Sequence, residues 1–323
     1  CGTRLVTAFQ QYAESGNLEL ITCAGTHGYL PLLNSEPSTV RAQVFTAVDE
    51  HARIFGSKPK GMWVPECAFY PGLDEVLAQA GIRYFLVDGH GIEHAEPAPM
   101  FGVHAPVYCP SGVAAFGRHP MTSKLVWSTS VGYPADFNYR EYYRDIGFEL
   151  DPEYLEPFQY AEGIRQNTGI KYHRITGKTE NKCLYNPDWG AEAAVRHARD
   201  FANRCREQAR RAGSGMPFPC TIVSPYDAEL FGHWWFEGPQ WIYHVLRELS
   251  QGGDLELSTP GDYLAGYPVQ QRSMPASSSW GRNGYSEHWV NPKTEWMWRP
   301  LHEAAARMRQ TVRAHPCLSL IHI

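Results

Sequence analysis

Short apolar runs alternate with polar, glycine-rich turns and amphipathic stretches through the N-terminal part of the chain. Residues 18–23 predict a strand that leads into the turn Ala24-Gly25-Thr26-His27-Gly28. Ser38 or Thr39 can cap a helix running to about Phe55, with Val40, Val44, Val48 and Ile54 on one side. Residues 62–64 read as the next strand. Leu73, Val76 and Leu77 predict a helix over 72–80, stopped by Gly81. Residues 82–87 form another buried strand, ending in Asp88-Gly89-His90-Gly91. Strand, polar loop, helix and strand is the rhythm of parallel βα units. Folds of that kind place reacting groups where strands give way to loops. Glu66, Asp88, His90 and Asp227 all stand at such places.

From residue 93 to 188 the periodicity weakens. Residues 113–116 and 123–127 predict strands, but tyrosine- and glycine-rich text dominates. Gly132-Tyr133-Pro134-Ala135-Asp136, with Tyr139, Tyr142 and Tyr143 after it, reads as a long excursion over the mouth of the fold. Residues 191–212 predict a strong helix closed by Gly213, feeding the apolar strand 220–223. Helix 239–249, a short strand 255–258 and a helical turn 261–265 follow. The composition shifts at 273–279, which sets a boundary near Tyr267. The segment 280–308 is tryptophan-rich and then helical, with Trp296 and Trp298 packing at the start of that helix. The domains expected are therefore 1–267, with the excursion at 93–188, and 268–317. The last six residues, 318–323, continue no periodicity and read as a non-native tail. Together with a start at Cys1 inside helical text, they read as a chain cut at both ends.

Composition narrows the function. A formal net charge of −5 argues against nucleic acid or an anionic membrane as an electrostatic partner. No run is long enough to span a bilayer and no signal peptide is visible. The eight cysteines show no CxxC pair and no metal-ligand rhythm. They read as free thiols in a reducing, cytoplasmic setting, with neither metal nor cofactor implied. The aromatic content of 13%, including 10 Trp and 18 Tyr, fits a sugar-binding surface as well as a large core.

The richest chemistry lies in Pro225-Tyr226-Asp227-Ala228-Glu229-Leu230-Phe231-Gly232-His233-Trp234-Trp235. Two carboxylates, a histidine and paired tryptophans follow directly on an apolar strand. A second carboxylate site, Glu66, sits in Gly61-Met62-Trp63-Val64-Pro65-Glu66-Cys67. Each carboxylate alone has a plainer reading, Glu66 as half of an ion pair and Asp227 as a helix N-cap. Paired at strand ends, they fit glycoside chemistry, in which one carboxylate attacks while another carboxyl group delivers a proton. His27, His90 and His233 lie in separate glycine-flanked loops, where hydrogen bonding to sugar hydroxyls fits better than a metal site. Trp234, Trp280 and Trp289, in polar glycine-rich text, and Tyr133 in the excursion are expected to contact sugar rings. No nucleophile elbow, dinucleotide fingerprint or P-loop is present. A polysaccharide deacetylase would need a metal site that the histidine spacing does not offer.

These residues resemble glycoside hydrolase family 57, and within it the α-1,4-glucan branching enzymes. Trp63-Val64-Pro65-Glu66-Cys67-Ala68 is similar to the family's nucleophile motif, and the Tyr226–Trp235 string to its acid/base motif. The resemblance implies Glu66 as nucleophile and Asp227 as proton donor. Residues 18–33 resemble a further family region near the donor-sugar subsite. Trp280 and Trp289 match tryptophans that face the cleft in branching members. The implied fold is α/β, an incomplete (β/α)7 barrel whose first strand, with its His-x-His motif, is missing here, followed by a truncated helical C-terminal domain. The implied partner is an α-glucan such as glycogen. The implied activity is retaining transglycosylation that forms α-1,6 branches. A 4-α-glucanotransferase or α-amylase-like hydrolase would use the same two carboxylates, and a non-catalytic glucan-binding protein is the rival of another class. An open barrel exposes backbone donors and apolar side chains. The polypeptide as written is therefore expected to be poorly soluble and inactive, and branching activity from residues 1–317 alone would overturn that expectation.

Overall fold

The computed structural model describes residues 4–128, 130–158 and 163–315. The 318–323 tail, Cys1 and Cys317 lie outside them. The chain forms two compact units: a sheet unit of residues up to His119 with Gly215–Val223 and those from Ser258 onward, and a helical unit of Pro120–Ser214 with Ser224–Leu257.

The sheet unit is built on β1 (Gly61–Trp63), β2 (Tyr84–Val87), β3 (Val107–Tyr108), β4 (Ala114–Gly117) and β5 (Gln271–Arg272). Their spatial order is β1-β2-β4-β3-β5. β1, β2 and β4 are mutually parallel, β3 runs antiparallel to β4, and β5 parallel to β3. The βα rhythm in the sequence therefore accounts for the parallel half, and β3 makes the sheet mixed. Every residue of Tyr84-Phe85-Leu86-Val87 is buried, as expected of a strand with parallel neighbours on both sides and cover on both faces. Phe85 and Val87 point into one core with Val44, Val48, Met62, Leu73 and Leu77. Tyr84 and Leu86 point into another with Phe116 and Tyr263.

Several boundaries differ from the sequence expectation for identifiable reasons. Only Thr22 of the predicted strand 18–23 pairs, accepting from Trp63 N (2.8 Å) and donating to Gly61 O (3.1 Å). The helix expected from Ser38 or Thr39 spans Pro37–Phe55 and begins at the proline, whose fixed φ suits a first helical position. The helix Leu73–Gln79 ends at Ala80, and Gly81 takes the left-handed φ of +87° there. Residues 220–223 form no regular strand, although Thr221 N reaches His104 O and His119 N reaches Val223 O, both at 2.8 Å. The strand predicted at 255–258 does not form, and its Leu257 is exposed.

In the helical unit the strand predicted at 123–127 is instead the helix Pro120–Trp127. So short an apolar run cannot fix its own period, and the buried residues, Thr122 and Val126, are four apart. The helix Pro187–Gly213 starts a turn before the expectation because Asn186 caps it, accepting from Asp188 N at 2.9 Å. Its small stripe of Ala193, Ala194, Ala198 and Ala202 lets the helix Gly238–Gly252 approach closely. Phe201, Trp235 and Trp241 fill the space between, with the Trp241 ring 5.1 Å from Phe201 and 5.2 Å from Trp235.

The excursion is organised by one buried carboxylate rather than by regular structure. Asp145, 1% exposed, accepts from Gly147 N (2.9 Å), Thr168 N (3.0 Å), Thr168 Oγ1 (2.8 Å) and Gly169 N (2.9 Å), with Lys171 Nζ at 3.5 Å. Burial works to raise its carboxyl pKa, but the hydrogen bonds outweigh it and pull the group down to about 2. A folded value below the ordinary one gives stabilisation that is complete above the usual carboxylate range and fades as the pH falls towards 2. Asp145→Ala, which also strands Lys171, is expected to cost about 3 kcal/mol, read by denaturant unfolding near neutral pH. The difference from the parent protein should shrink in acid.

Candidate active site

Glu66 follows directly on β1. Val64 leaves the strand extended, and the tight turn Pro65–Cys67 puts Glu66 at φ 62° and Cys67 at φ 49°. Two successive side chains in the left-handed region cost on the order of 1–3 kcal/mol each, so the turn must be pinned by its surroundings. Cys67 N and Ala68 N bond back to Val64 O and Pro65 O, each at 3.0 Å. Phe69 and Ser278 exchange two backbone bonds, and Trp280 N donates to Glu66 O at 2.8 Å. The segment 278–280 therefore clips the turn from outside. Among the described residues six non-glycine positions have positive φ: His27, Glu66, Cys67, Thr176, Asn283 and Ser286. Five of them lie in the loops that meet at Glu66.

Each carboxylate oxygen of Glu66 faces one N–H donor. Trp280 Nε1–H donates to Oε2 at 2.5 Å, and His27 Nε2 lies 3.0 Å from Oε1. An ionised carboxylate can only accept, so the Nε2 of His27 carries the proton. The other ring nitrogen, Nδ1, lies 3.5 Å from Cys23 Sγ. Burial pushes that thiol up to about 11, so it is protonated at neutral pH and supplies the S–H. The His27 loop is tied to the helix Pro37–Phe55 by Gln43, whose backbone O accepts from Gly25 N (2.9 Å) and whose Oε1 accepts from Thr26 N (2.9 Å). The side chain of Glu66 remains 23% exposed, so a reacting atom can reach a carboxylate already oriented by two donors.

His90 is occupied differently from the expectation that it binds sugar hydroxyls. Its Nδ1 meets Asp88 Oδ1 and its Nε2 meets Gly284 O, both at 2.9 Å. The bond to Asp88 raises the pKa of the ring. Burial works to raise the Asp88 carboxyl, but His90 and Arg118 hold it below its usual value. Gly284 sits at φ +73°, and a Cβ there would stand 2.7 Å from the His90 ring, so the close approach requires glycine. Trp289 stacks on Tyr29 at 4.3 Å and is only partly buried. Tyr29 also bonds Ser286 Oγ at 2.6 Å.

Asp227 belongs to the helical unit and heads the tight turn Ala228–Leu230. It is half-buried and makes no side-chain capping bond to that turn, so the plain N-cap reading does not describe it. The stretch behind it is folded back on itself: Trp235 N donates to Leu230 O and Gly232 N to Trp235 O, both at 2.8 Å. This anchors Trp235 in the core and turns Trp234 outward, 39% exposed, with Trp127 against its edge. His233 is exposed, its Nε2 lying 3.3 Å from the hydroxyl of Tyr142 in the excursion. Tyr133, expected to contact sugar, is instead packed: it is 6% exposed, donates to Asp200 at 2.7 Å and stacks on His197 at 4.7 Å. Its ring has no face to offer, because the Gly132-Tyr133 text that reads as loop is tied into the unit's core.

The structure thus gathers Glu66, His27, Trp280 and Trp289 in the loops of the sheet unit, and Asp227, His233 and Trp234 in those of the helical unit. Sequence reading missed Arg118, Gln43 and Tyr29. Arg118 had a signal, because it directly follows β4 just as Asp88 follows β2. Gln43 and Tyr29 had none.

The pattern described as Glycosyl hydrolase family 57 matches residues 2–275. A 1,4-alpha-glucan branching enzyme of Thermococcus kodakarensis is 33% identical over 94% of this chain and 46% of its own length. A probable 1,4-alpha-glucan branching enzyme of Mycobacterium tuberculosis is 32% identical over 87% of this chain and 48% of its own. The chain therefore spans about half the length of these relatives. Among solved structures, an alpha-amylase of Thermotoga maritima superposes with TM-score 0.88 at 41% identity, covering 98% of this chain and 60% of that one. A branching enzyme of the same family from Pyrococcus horikoshii gives TM-score 0.83 at 31% identity, covering 95% and 56%. With its fold and most of its length matched in this way, the chain belongs to glycosyl hydrolase family 57.

Proposed function

We propose that this chain carries the catalytic machinery of a retaining 1,4-α-glucan branching enzyme. The observation that supports it most is the setting of Glu66, a carboxylate on a left-handed turn with an N–H donor at each oxygen. In this reading Glu66 attacks the anomeric carbon of an internal α-1,4 bond. Asp227 gives its proton to the departing O4, and a covalent glycosyl-enzyme forms with inverted configuration. Asp227, now a carboxylate, takes the proton from a 6-hydroxyl of an acceptor glucan. That oxygen displaces Glu66 with a second inversion, leaving an α-1,6 branch and restoring both carboxyl groups. A double displacement of this kind requires the carboxyl groups roughly 5–5.5 Å apart. The donors on Glu66 orient it and disperse its charge without blocking its remaining lone pairs.

His233, the outward Trp234 and Trp289 are the groups we assign to the α-glucan, with His27 reaching it through Glu66 rather than by a free ring nitrogen. Trp280 serves Glu66 first, and His90 and Tyr133 act as structural supports. The finer architecture in this reading is part of a (β/α)7 barrel over 1–267, with 268–317 starting a helical C-terminal domain. Among the described residues Cys23, Cys67, Cys109, Cys183, Cys205 and Cys220 are in no disulfide, which supports a cytoplasmic setting. No helix among the described residues is long and apolar enough to cross a membrane. Hydrolysis is the second reading, raised by the 41% identity to an alpha-amylase structure, while the curated relatives named above are branching enzymes.

In the full-length protein, Glu66→Ala should lower transfer by roughly 10³-fold or more. Azide should then restore bond cleavage and yield a β-glycosyl azide, because azide takes the place of the missing nucleophile on its own face. Asp227→Ala with azide should instead give the α-glycosyl azide. The opposite stereochemical outcome, or transfer near the parent rate in Glu66→Ala, would reverse or remove the assignment. Enzymatic debranching of the product followed by chain-length analysis separates the two activities: new α-1,6-linked chains are expected, and shortened linear chains alone would mean hydrolysis.

A further inference from the structure

The side chain that holds Glu66 is itself held, by groups for which the double displacement has no use. We infer that Arg118 is a positioning residue whose guanidinium, fixed by Asp88 and lying over the indole of Trp280, sets the direction in which Trp280 Nε1–H meets Glu66. The inference deepens the reading of Glu66 as the nucleophile, and its consequence for catalysis rests on that reading.

Arg118 leaves the end of β4 with its backbone N bonded to Val87 O at 2.9 Å, which places its side chain beside Asp88 at the end of β2. Its Nε and Nη2 both reach Asp88 Oδ2, at 3.0 and 2.5 Å. Asp88 cannot swing away, because its other oxygen is taken by His90, and His90 is anchored in turn on Gly284 O. The Arg118 and Asp88 side chains are only 15% and 16% exposed, so little water competes for this pair. So constrained, the guanidinium carbon lies 5.1 Å from the centre of the Trp280 ring.

Trp63 packs its ring edge-on against Trp280 at 5.5 Å and 78°. The indole is thus bounded by a cation and by an aromatic ring, and its N–H points at Glu66 Oε2. A partly desolvated cation over an indole contributes up to about 2 kcal/mol. It also draws electron density from the ring, which strengthens the N–H as a donor to a carboxylate. A lysine at 118 would keep the charge but lose the paired N–H bonds to Asp88 Oδ2 and the guanidinium's contact with the indole. An isolated ion pair serving only the sheet would need no indole beneath it.

The test reads the Trp280 indole N–H directly and needs no turnover. In the uniformly ¹⁵N-labelled full-length protein, hydrogen exchange at Trp280 Nε1 is compared between the parent and Arg118→Ala. Exchange should accelerate by at least about tenfold, and Arg118→Lys should recover only part of the protection. A recess of about 400 Å³ beside Asp88, Arg118 and Gly284 admits a small cation, so methylguanidinium should restore protection to Arg118→Ala. Exchange within about twofold of the parent would overturn the inference, since that is less than one interaction of this class. So would an equal acceleration at the backbone amides of Val44 and Phe85, which would mean general loosening, or a failure of methylguanidinium to slow exchange. If transfer proves independent of Glu66 while indole protection follows Arg118, the functional reading fails and the positioning role stands.

Discussion

A carboxylate carried on a left-handed turn keeps its place only while its surroundings pay the conformational cost. In this protein that work falls to the segment from Ser278 to Trp280, which bonds the turn through Phe69, Glu66 O and the Glu66 carboxylate itself. The other features of the sheet unit arrange themselves around this clip. β1 delivers the turn, β2 and β4 deliver Asp88 and Arg118, and the tight loop through Gly284 closes over His90. The strain is local and its compensation is distributed. That is what pre-organisation of a reacting group requires, since the cost is met on folding rather than during each turnover.

The two units solve different problems. The sheet unit buries parallel strands whose ends present polar groups at fixed spacing, and its core leaves little freedom to residues such as Phe85 and Val87. The helical unit has no such sheet among its described residues. It relies on close helix packing over alanines, an aromatic cluster around Trp241, and a buried carboxylate that gathers an irregular loop. The first arrangement suits a group that must not move. In the second, side chains such as His233 and Tyr143 stay exposed.

Much of this was legible in the sequence wherever hydrophobic periodicity and motif agreed. β1, β2 and the long helices fell within a turn of the expectation, because a run such as Tyr84-Phe85-Leu86-Val87 is bounded by the turn signals Gly81 and Asp88-Gly89, which decide what its length cannot. Residues 123–127 went wrong because five residues cannot separate period 2 from period 3.6. The importance of Glu66 was visible, but its partners were not. Gln43 and Tyr29 act through contacts between distant segments that leave no local trace, whereas Arg118 left one that was not used. Tyr133 misled because a tyrosine in glycine-rich text looks like a loop residue until its hydroxyl is seen to reach Asp200. His90 misled in the same way, since both its ring nitrogens are spent inside the protein.

The bond from Trp280 to Glu66 spans 214 positions of chain. Loop closure over such a distance comes late in folding, after the local helices and the nearer strand pairs have formed. During synthesis the turn at Glu66 therefore leaves the ribosome long before its clip exists, and its left-handed backbone has nothing to hold it. The settled Glu66 turn is therefore a late acquisition of the sheet unit. In an emerging chain the Glu66 turn consequently lacks its clip until residue 280 has been added and docked, which gives the sheet unit a built-in order of maturation.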